Sequence, residues 1–358
     1  MPEIQTEGFQ SKQKPRLPLT ISKDASGCIK GLAVLLMVLV HYYGNGVFTI
    51  QKQDIVNAIV CVAMFAFVSG YAHQLLTPAN SLEYPAFLKR FFLSFYKQFL
   101  FTAIVVFATF HALELPIPTW EGFVENLLLL TPNKPFDSWW YAFCFAVLCL
   151  FVYPLLKMLE ITTERYPVIF YSASVLFTLI CFALPWLFTH FELSRPYTTM
   201  WGHTPVVRTV IFIPYYVLGY VFCKSVKCEK VINWGTLASI LILAVCVFFP
   251  FKIYSIKMIF LIDVGKDFVI VMILCFVLMK FNEIRCILNQ LGRISTFLWL
   301  VHIPLRTVLH RVGDVPPKNL LILSLIASII VAAIFSKVYG SLTSLITPRN
   351  EGEERRAS

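Results

Sequence analysis

Apolar residues along this chain fall into long unbroken runs. They do not alternate with polar residues as in a half-buried strand. Ten runs stand out, at about 29–49, 55–76, 91–112, 139–159, 167–189, 206–223, 233–250, 264–281, 294–310 and 319–346. Each is close to the roughly 20 residues that an α-helix needs to cross the hydrocarbon of a bilayer. The pattern therefore predicts an all-α, polytopic membrane protein of about ten transmembrane helices. The missing strict alternation excludes the strands of a membrane β-barrel. Two further apolar pieces, 123–130 and 255–262, are too short to cross and are expected at the interface.

Composition agrees: 58% of residues are hydrophobic and 14% charged, against about 25% charged in a soluble domain. The formal net charge of +10 is better explained by basic residues gathering in cytoplasmic loops than by a nucleic-acid partner. With the N-terminus inside, Lys and Arg in the inner tails and connections (Lys12, Lys14, Arg16, Lys89, Arg90, Lys157, Lys224, Lys280, Arg285 and Arg293 among them) outnumber those in outer connections by two to one. Both termini are thus expected in the cytoplasm. Residues 1–27 and 347–358 form tails around a transmembrane domain of 28–346. The first tail lacks a small-residue cleavage site after a short apolar core, so it does not read as a cleavable signal. Ten cysteines lie mostly inside apolar runs, without a CxxC pair. They read as small buried hydrophobes, and no metal is expected. No internal repeat is evident, which argues against an inverted-repeat transporter. HExxH, GxSxG and Walker sequences are missing, so soluble hydrolase and nucleotide folds have no support.

Ionisable residues inside the apolar runs carry the chemistry, because such groups are costly in a membrane and mark functional sites by default. Between Lys30 and His41 stand nine apolar residues and Gly31. Eleven helical steps are about three turns, so both residues share one face, roughly 16 Å apart along the axis. A cation at the membrane surface and an imidazole at depth suit a phosphate anchor and a general base. A pantetheine arm joined to an ADP moiety would span a comparable distance. The plainer reading is a snorkelling lysine and a histidine bonded to a neighbouring helix. Other motifs carry the same choice. Ser69-Gly70 breaks a Phe-rich run and either packs helices closely or lines a cavity. Lys89 and Arg90 open the third run, as a positive-inside anchor or a second anion contact. Trp139, Trp140 and Tyr141 are an aromatic belt or a platform for a sugar. His302 and Arg306, at i and i+4, share a helix face. A buried guanidinium must be paired or wetted, so a polar cavity is expected beside them.

Five of these blocks, in order, resemble the acyltransferase-3 family of integral-membrane acyltransferases. SGCIKGLAVLLMVLVHYYG resembles its opening helix, MFAFVSGY its second-helix block and FLKRF its basic third-helix start. SWWYAF, followed by YPLL, and LGRISTFLWLVHIP resemble its later blocks. Together they touch most of residues 26–306. The resemblance implies transfer of an acyl group, commonly acetyl, from cytoplasmic acyl-CoA to a hydroxyl of a sugar or polysaccharide precursor, often at the outer face of the cell's inner (plasma) membrane. The acceptor is a cell-envelope or exported glycan, or its lipid-linked precursor. His41 is then catalytic, as general base or, in a covalent variant, as the acylated group. Lys30, Arg90 and Ser69 face acyl-CoA. His302, Arg306, Trp139, Trp140 and Tyr141 face the acceptor, His302 and Arg306 orienting it or stabilising the oxyanion. Lys30 stands where most members have arginine, and keeps the charge without the bidentate fork. Ser94 and Lys97 stand where members often have further arginines, and Trp299 replaces a tyrosine. A small-molecule transporter and a flippase for a lipid-linked glycan remain alternatives, in which the deep histidine relays protons. Only an enzyme would move label from acetyl-CoA into envelope glycan.

Overall fold

In the computed structural model, the described residues are 21–42, 59–77, 83–117, 119–128, 139–190, 205–226, 233–248, 264–312 and 317–346. They form twelve helices and no strand. In chain order these are α1 (Lys23–Tyr42), α2 (Ile59–Leu76), α3 (Tyr84–Ala112), α4 (Trp120–Leu127), α5 (Trp140–Thr162), α6 (Pro167–His190), α7 (Pro205–Val226), α8 (Trp234–Phe248), α9 (Val264–Leu278), α10 (Asn282–Arg293), α11 (Ser295–Val312) and α12 (Pro317–Ile346). Every one of the ten predicted runs meets a helix. Residues 1–20, 43–49, 55–58, 249–250, 255–262, 347–358 and the end of the 123–130 piece lie outside the described residues, and α1 begins at Lys23, inside the expected first tail. Five helices (α3, α5 and α12, with most of α6 and α7) are long and apolar enough to cross a membrane. On α12, Ile322, Ile326, Ile330 and Ile334 are all at least half exposed. Such a stripe at every fourth residue is what a lipid-facing surface needs, and water would not tolerate it.

Two elements depart from the expectation. The short piece before the fourth run is α4, and it begins three residues earlier than predicted. Thr119 caps it, accepting from the Gly122 amide at 3.2 Å. Residues 282–293, taken as a connection, form α10. This helix is amphipathic: it turns Leu288 and Leu291 inward and Glu283, Arg285 and Arg293 outward. Its mixed composition hides it from a search for apolar runs.

Helices meet closely where glycines remove side chains. A Cβ on Gly70 would strike the Tyr216 carbonyl, and one on Gly219 the Phe67 carbonyl, so α2 and α7 cross at backbone contact. A Cβ on Gly31 would strike the Leu288 carbonyl, and one on Gly292 the Gly27 carbonyl. That seats α10 on the first half of α1.

At two of the prolines that break the backbone ladder, a side chain from elsewhere in the bundle completes it. Pro154 cannot donate to the Leu150 carbonyl four residues back. The Tyr84 hydroxyl, in the first turn of α3, donates to it at 3.0 Å. Pro304 leaves the Leu300 carbonyl in the same position, and the Trp139 indole N–H donates to it at 3.0 Å. Both helices of the Tyr84 contact carry a π-type turn nearby, Leu88–Phe92 and Leu148–Val152. The first of these holds Lys89 and Arg90.

A buried ionic knot ties α2, α5 and α7. Glu160 accepts from Lys224 at 2.5 Å, Tyr220 at 2.6 Å, Gln74 at 3.2 Å and Lys157 at 3.3 Å. Lys157 is fully buried and Glu160 6% exposed. Lys157 stands near the end of the fourth predicted run, where a cation would ordinarily reach the surface. Glu160, one turn further along α5, is what allows it inside.

Candidate active site

Two stretches of chain lie side by side and in register. Gly31 packs on Gly292 at one end, and His41 meets His302 ten residues further along each stretch. Ten residues at 1.5 Å each span roughly 15 Å of helix. Constant register over that length means that α1 runs parallel to the α10–α11 segment. The turn at Ile294 does not disturb the match, because Ser295 closes back on the Gly292 carbonyl at 2.9 Å.

At the far end, His41 Nδ1 and His302 Nε2 are 2.7 Å apart. The rings are nearly parallel, at 10°, with centroids 5.0 Å apart. Two rings joined edge to edge by one N–H···N bond have this arrangement. The other ring nitrogen of His302, Nδ1, lies 2.6 Å from the Trp299 carbonyl oxygen. Arg306, one turn beyond His302, donates to the His41 backbone carbonyl at 3.1 Å. His302 is buried at 1% exposure, whereas His41 is only partly buried. The expected pairing of His302 with Arg306 on one helix face thus holds, and His41 is the centre that both address.

At the near end opens a cavity of about 330 Å³. Lys30 of α1, Arg90 of α3 and Arg293 at the end of α10 bring three cations to it from three helices. Ser295 and Thr296, in the first turn of α11, also face it, so the positive end of that helix adds to the field. Among the described residues no carboxylate lines the cavity. Deeper in, the lining turns neutral: Met37, Phe65, Ser69, Phe95, Tyr141 and Trp299. Ser69 of α2 and Tyr141 of α5 both face this interior. The cavity therefore grades from a triply charged mouth to an aromatic interior. His41 and His302 are outside its lining. His41 stands one turn past Met37 on α1, and His302 three residues past Trp299 on α11.

Of the residues singled out from sequence, Lys30, Arg90, Ser69 and Tyr141 converge on this cavity, while His41, His302 and Arg306 form the cluster beyond it. The aromatic trio does not stay together. Trp139 is 3% exposed and spends its N–H on Leu300, and Trp140 packs against Phe212 at 5.7 Å. Only Tyr141 of the three faces the cavity. The expected choice at Ser69-Gly70 resolves into both readings, since Gly70 makes the helix crossing and Ser69 lines the cavity. Arg293 was missed because it looked like a boundary residue. A signal for it was present: Gly31 and Gly292 each precede a Leu-Val-His by the same spacing, which aligns Arg293 with the first turn after Lys30. Among the described residues no group of His, Cys, Asp and Glu could hold a metal.

An all-helical membrane protein with a cationic cavity and a paired histidine beside it is the class that fold and site define. The family described as Acyltransferase domain matches residues 25–337, nearly the whole chain. The chain belongs to this family, the acyltransferase-3 group, and is a membrane acyltransferase. No curated protein and no solved structure matches it.

Proposed function

We propose that this acyltransferase moves an acyl group, acetyl in the simplest case, from cytoplasmic acyl-CoA to a hydroxyl of a cell-envelope or exported polysaccharide, or of its lipid-linked precursor. It works as a multi-pass protein of the cell's inner membrane, with about ten spans and both termini in the cytoplasm. Lys30, Arg90 and Arg293 hold the phosphates of the donor. Ser69 and Tyr141 line the way along which its pantetheine arm reaches inward. His41 takes the proton of the acceptor hydroxyl as that oxygen attacks the thioester carbonyl. The acceptor enters from the outer half, on the side of Arg306 and Trp140.

The observation that carries this reading is the convergence of three cations from three helices on one cavity, about one helical turn short of His41. A polyanion is the ligand such a mouth favours, because each phosphate gains a charge-assisted bond. A carboxylate substrate would need fewer positive groups, and a neutral sugar none. The test is direct. Membranes holding the protein are incubated with radiolabelled acetyl-CoA, and label is sought in the envelope glycan fraction. Label should appear with the wild-type chain and fall to background with His41→Ala. Transfer by His41→Ala at the wild-type rate would overturn the assignment.

A further inference from the structure

The proton positions in the histidine cluster follow from which atoms can donate. A carbonyl oxygen only accepts, so the 2.6 Å contact to the Trp299 carbonyl requires a proton on His302 Nδ1. A neutral imidazole carries one N–H, so His302 Nε2 is an acceptor. The 2.7 Å contact from that nitrogen to His41 Nδ1 then requires the proton on His41 Nδ1. A neutral His41 is left with its lone pair on Nε2. The chain of bonds runs one way, from His41 through His302 to the backbone of α11.

The geometry points to His302 as a positioning residue that selects the Nδ1–H tautomer of His41 and so makes His41 Nε2 the base. This rests on the reading of His41 given under Proposed function, and changes the part expected of His302, which touches His41 rather than the acceptor. The step balances as follows. The acceptor O–H proton passes to His41 Nε2 while the oxygen bonds to the thioester carbonyl carbon. The C–S bond then breaks, and the departing thiolate takes the proton from Nε2, giving the ester and free CoA. Throughout, His41 Nδ1–H stays bonded to His302 Nε2, and that bond strengthens while the ring is cationic. The logic is that of a base oriented by a third group. Here the third group is a second imidazole, itself held by a carbonyl. The register fixed at Gly31 and Gly292 delivers the two rings to each other. Arg306 holds the His41 backbone from the same helix, so main chain and ring are both set by α11.

The test uses the full-length protein in membrane vesicles, with radiolabelled acetyl-CoA and extracted envelope glycan. His302→Leu should lower the saturating rate by on the order of a hundredfold, the scale of a misplaced general base. The KM values for acetyl-CoA and for glycan should stay put. His302→Gln offers a carbonyl oxygen to His41 Nδ1–H and an amide N–H to the Trp299 carbonyl, and should recover at least tenfold over the leucine variant. A rise in the glycan KM with the rate held would instead make His302 an acceptor contact and overturn the proposal. So would a leucine variant as fast as wild type. A second measurement needs no variant: 15N NMR of histidine-labelled protein should show His41 protonated at Nδ1, and a proton at Nε2 in its place refutes the inference. Full activity of His41→Ala would sink the role of His41 given under Proposed function, a different outcome from any of these.

Discussion

Replacing Trp139 by phenylalanine separates two roles for this residue. As a platform for a sugar it would work through its ring. As the structure has it, the indole N–H completes the Leu300 carbonyl, which Pro304 leaves without its helical partner. Leu300 is fully buried and Trp139 nearly so. Hydrogen bonds between membrane helices average about 0.6 kcal/mol and reach about 1.7 kcal/mol. An acceptor left buried without a donor costs about 1–3 kcal/mol. Trp139→Phe should therefore fall near the overlap, at about 1.5 kcal/mol, plus a packing loss from the smaller ring. Pro304→Ala restores an N–H to the Leu300 carbonyl. In that background Trp139→Phe should cost only the packing loss, so the double-mutant cycle should show a coupling of about 1–1.5 kcal/mol. The assay is equilibrium unfolding in mixed micelles, with acyl transfer measured on the same four proteins. His302 lies between Leu300 and Pro304, so the transfer rate should fall in Trp139→Phe and recover in the double variant. Additivity within about 0.5 kcal/mol, or a loss of activity that Pro304→Ala leaves untouched, would refute the argument and return Trp139 to the acceptor.

At the cavity mouth, Arg90→Ala and Arg293→Ala should each raise the KM for acetyl-CoA about ten- to hundredfold with the saturating rate held. That is the range of a charge-assisted hydrogen bond of about 1.5–3 kcal/mol. An unchanged KM in steady-state assays would remove that residue from the donor site. In the ionic knot, Glu160→Ala leaves two lysines without the carboxylate that four groups address. The loss should be about 3–5 kcal/mol, read as a marked drop in the midpoint of thermal unfolding, and a midpoint near wild type would show that the knot contributes little.

How much of this was legible in the sequence depends on the kind of signal. Apolar runs announce helices of a membrane protein because lipid demands an unbroken hydrocarbon surface, and each of the ten runs meets a helix, five of them long and apolar enough to cross a membrane. α10 was not legible, since its apolar residues are interrupted by polar ones and of them only Leu288 and Leu291 are buried in the bundle. Lys30, Arg90 and Ser69 were legible as a group only through the resemblance, because they lie on three helices that no spacing rule connects. Trp139 misled for a physical reason. An aromatic residue at a membrane edge looks the same whether its ring binds sugar or its N–H completes another helix, and only the position of Pro304 in space decides. Glu160 and Lys157 also look like ordinary loop-side charges, three residues apart on a helix end. Burial turns them into a knot, and burial belongs to the packed bundle.

The spacing from Gly31 to His41 equals that from Gly292 to His302, and this equality says more than either motif alone. Two helices in parallel contact keep one register only if both rise equally between the points that pin them. Here one pin is a glycine contact without side chains and the other a bond between two rings. Insert one residue in either stretch and the glycines can still meet, but one histidine rotates by about 100° off the shared face. The cationic mouth would survive, since Lys30 and Arg293 flank the glycine pin, while the base would lose its orienting partner. Donor binding and proton transfer are thus separable by a single-residue insertion after Met37. Such a variant should bind acetyl-CoA with near-native affinity by calorimetry and transfer nothing. If it retained transfer, the paired rings would not be the reason for the common spacing.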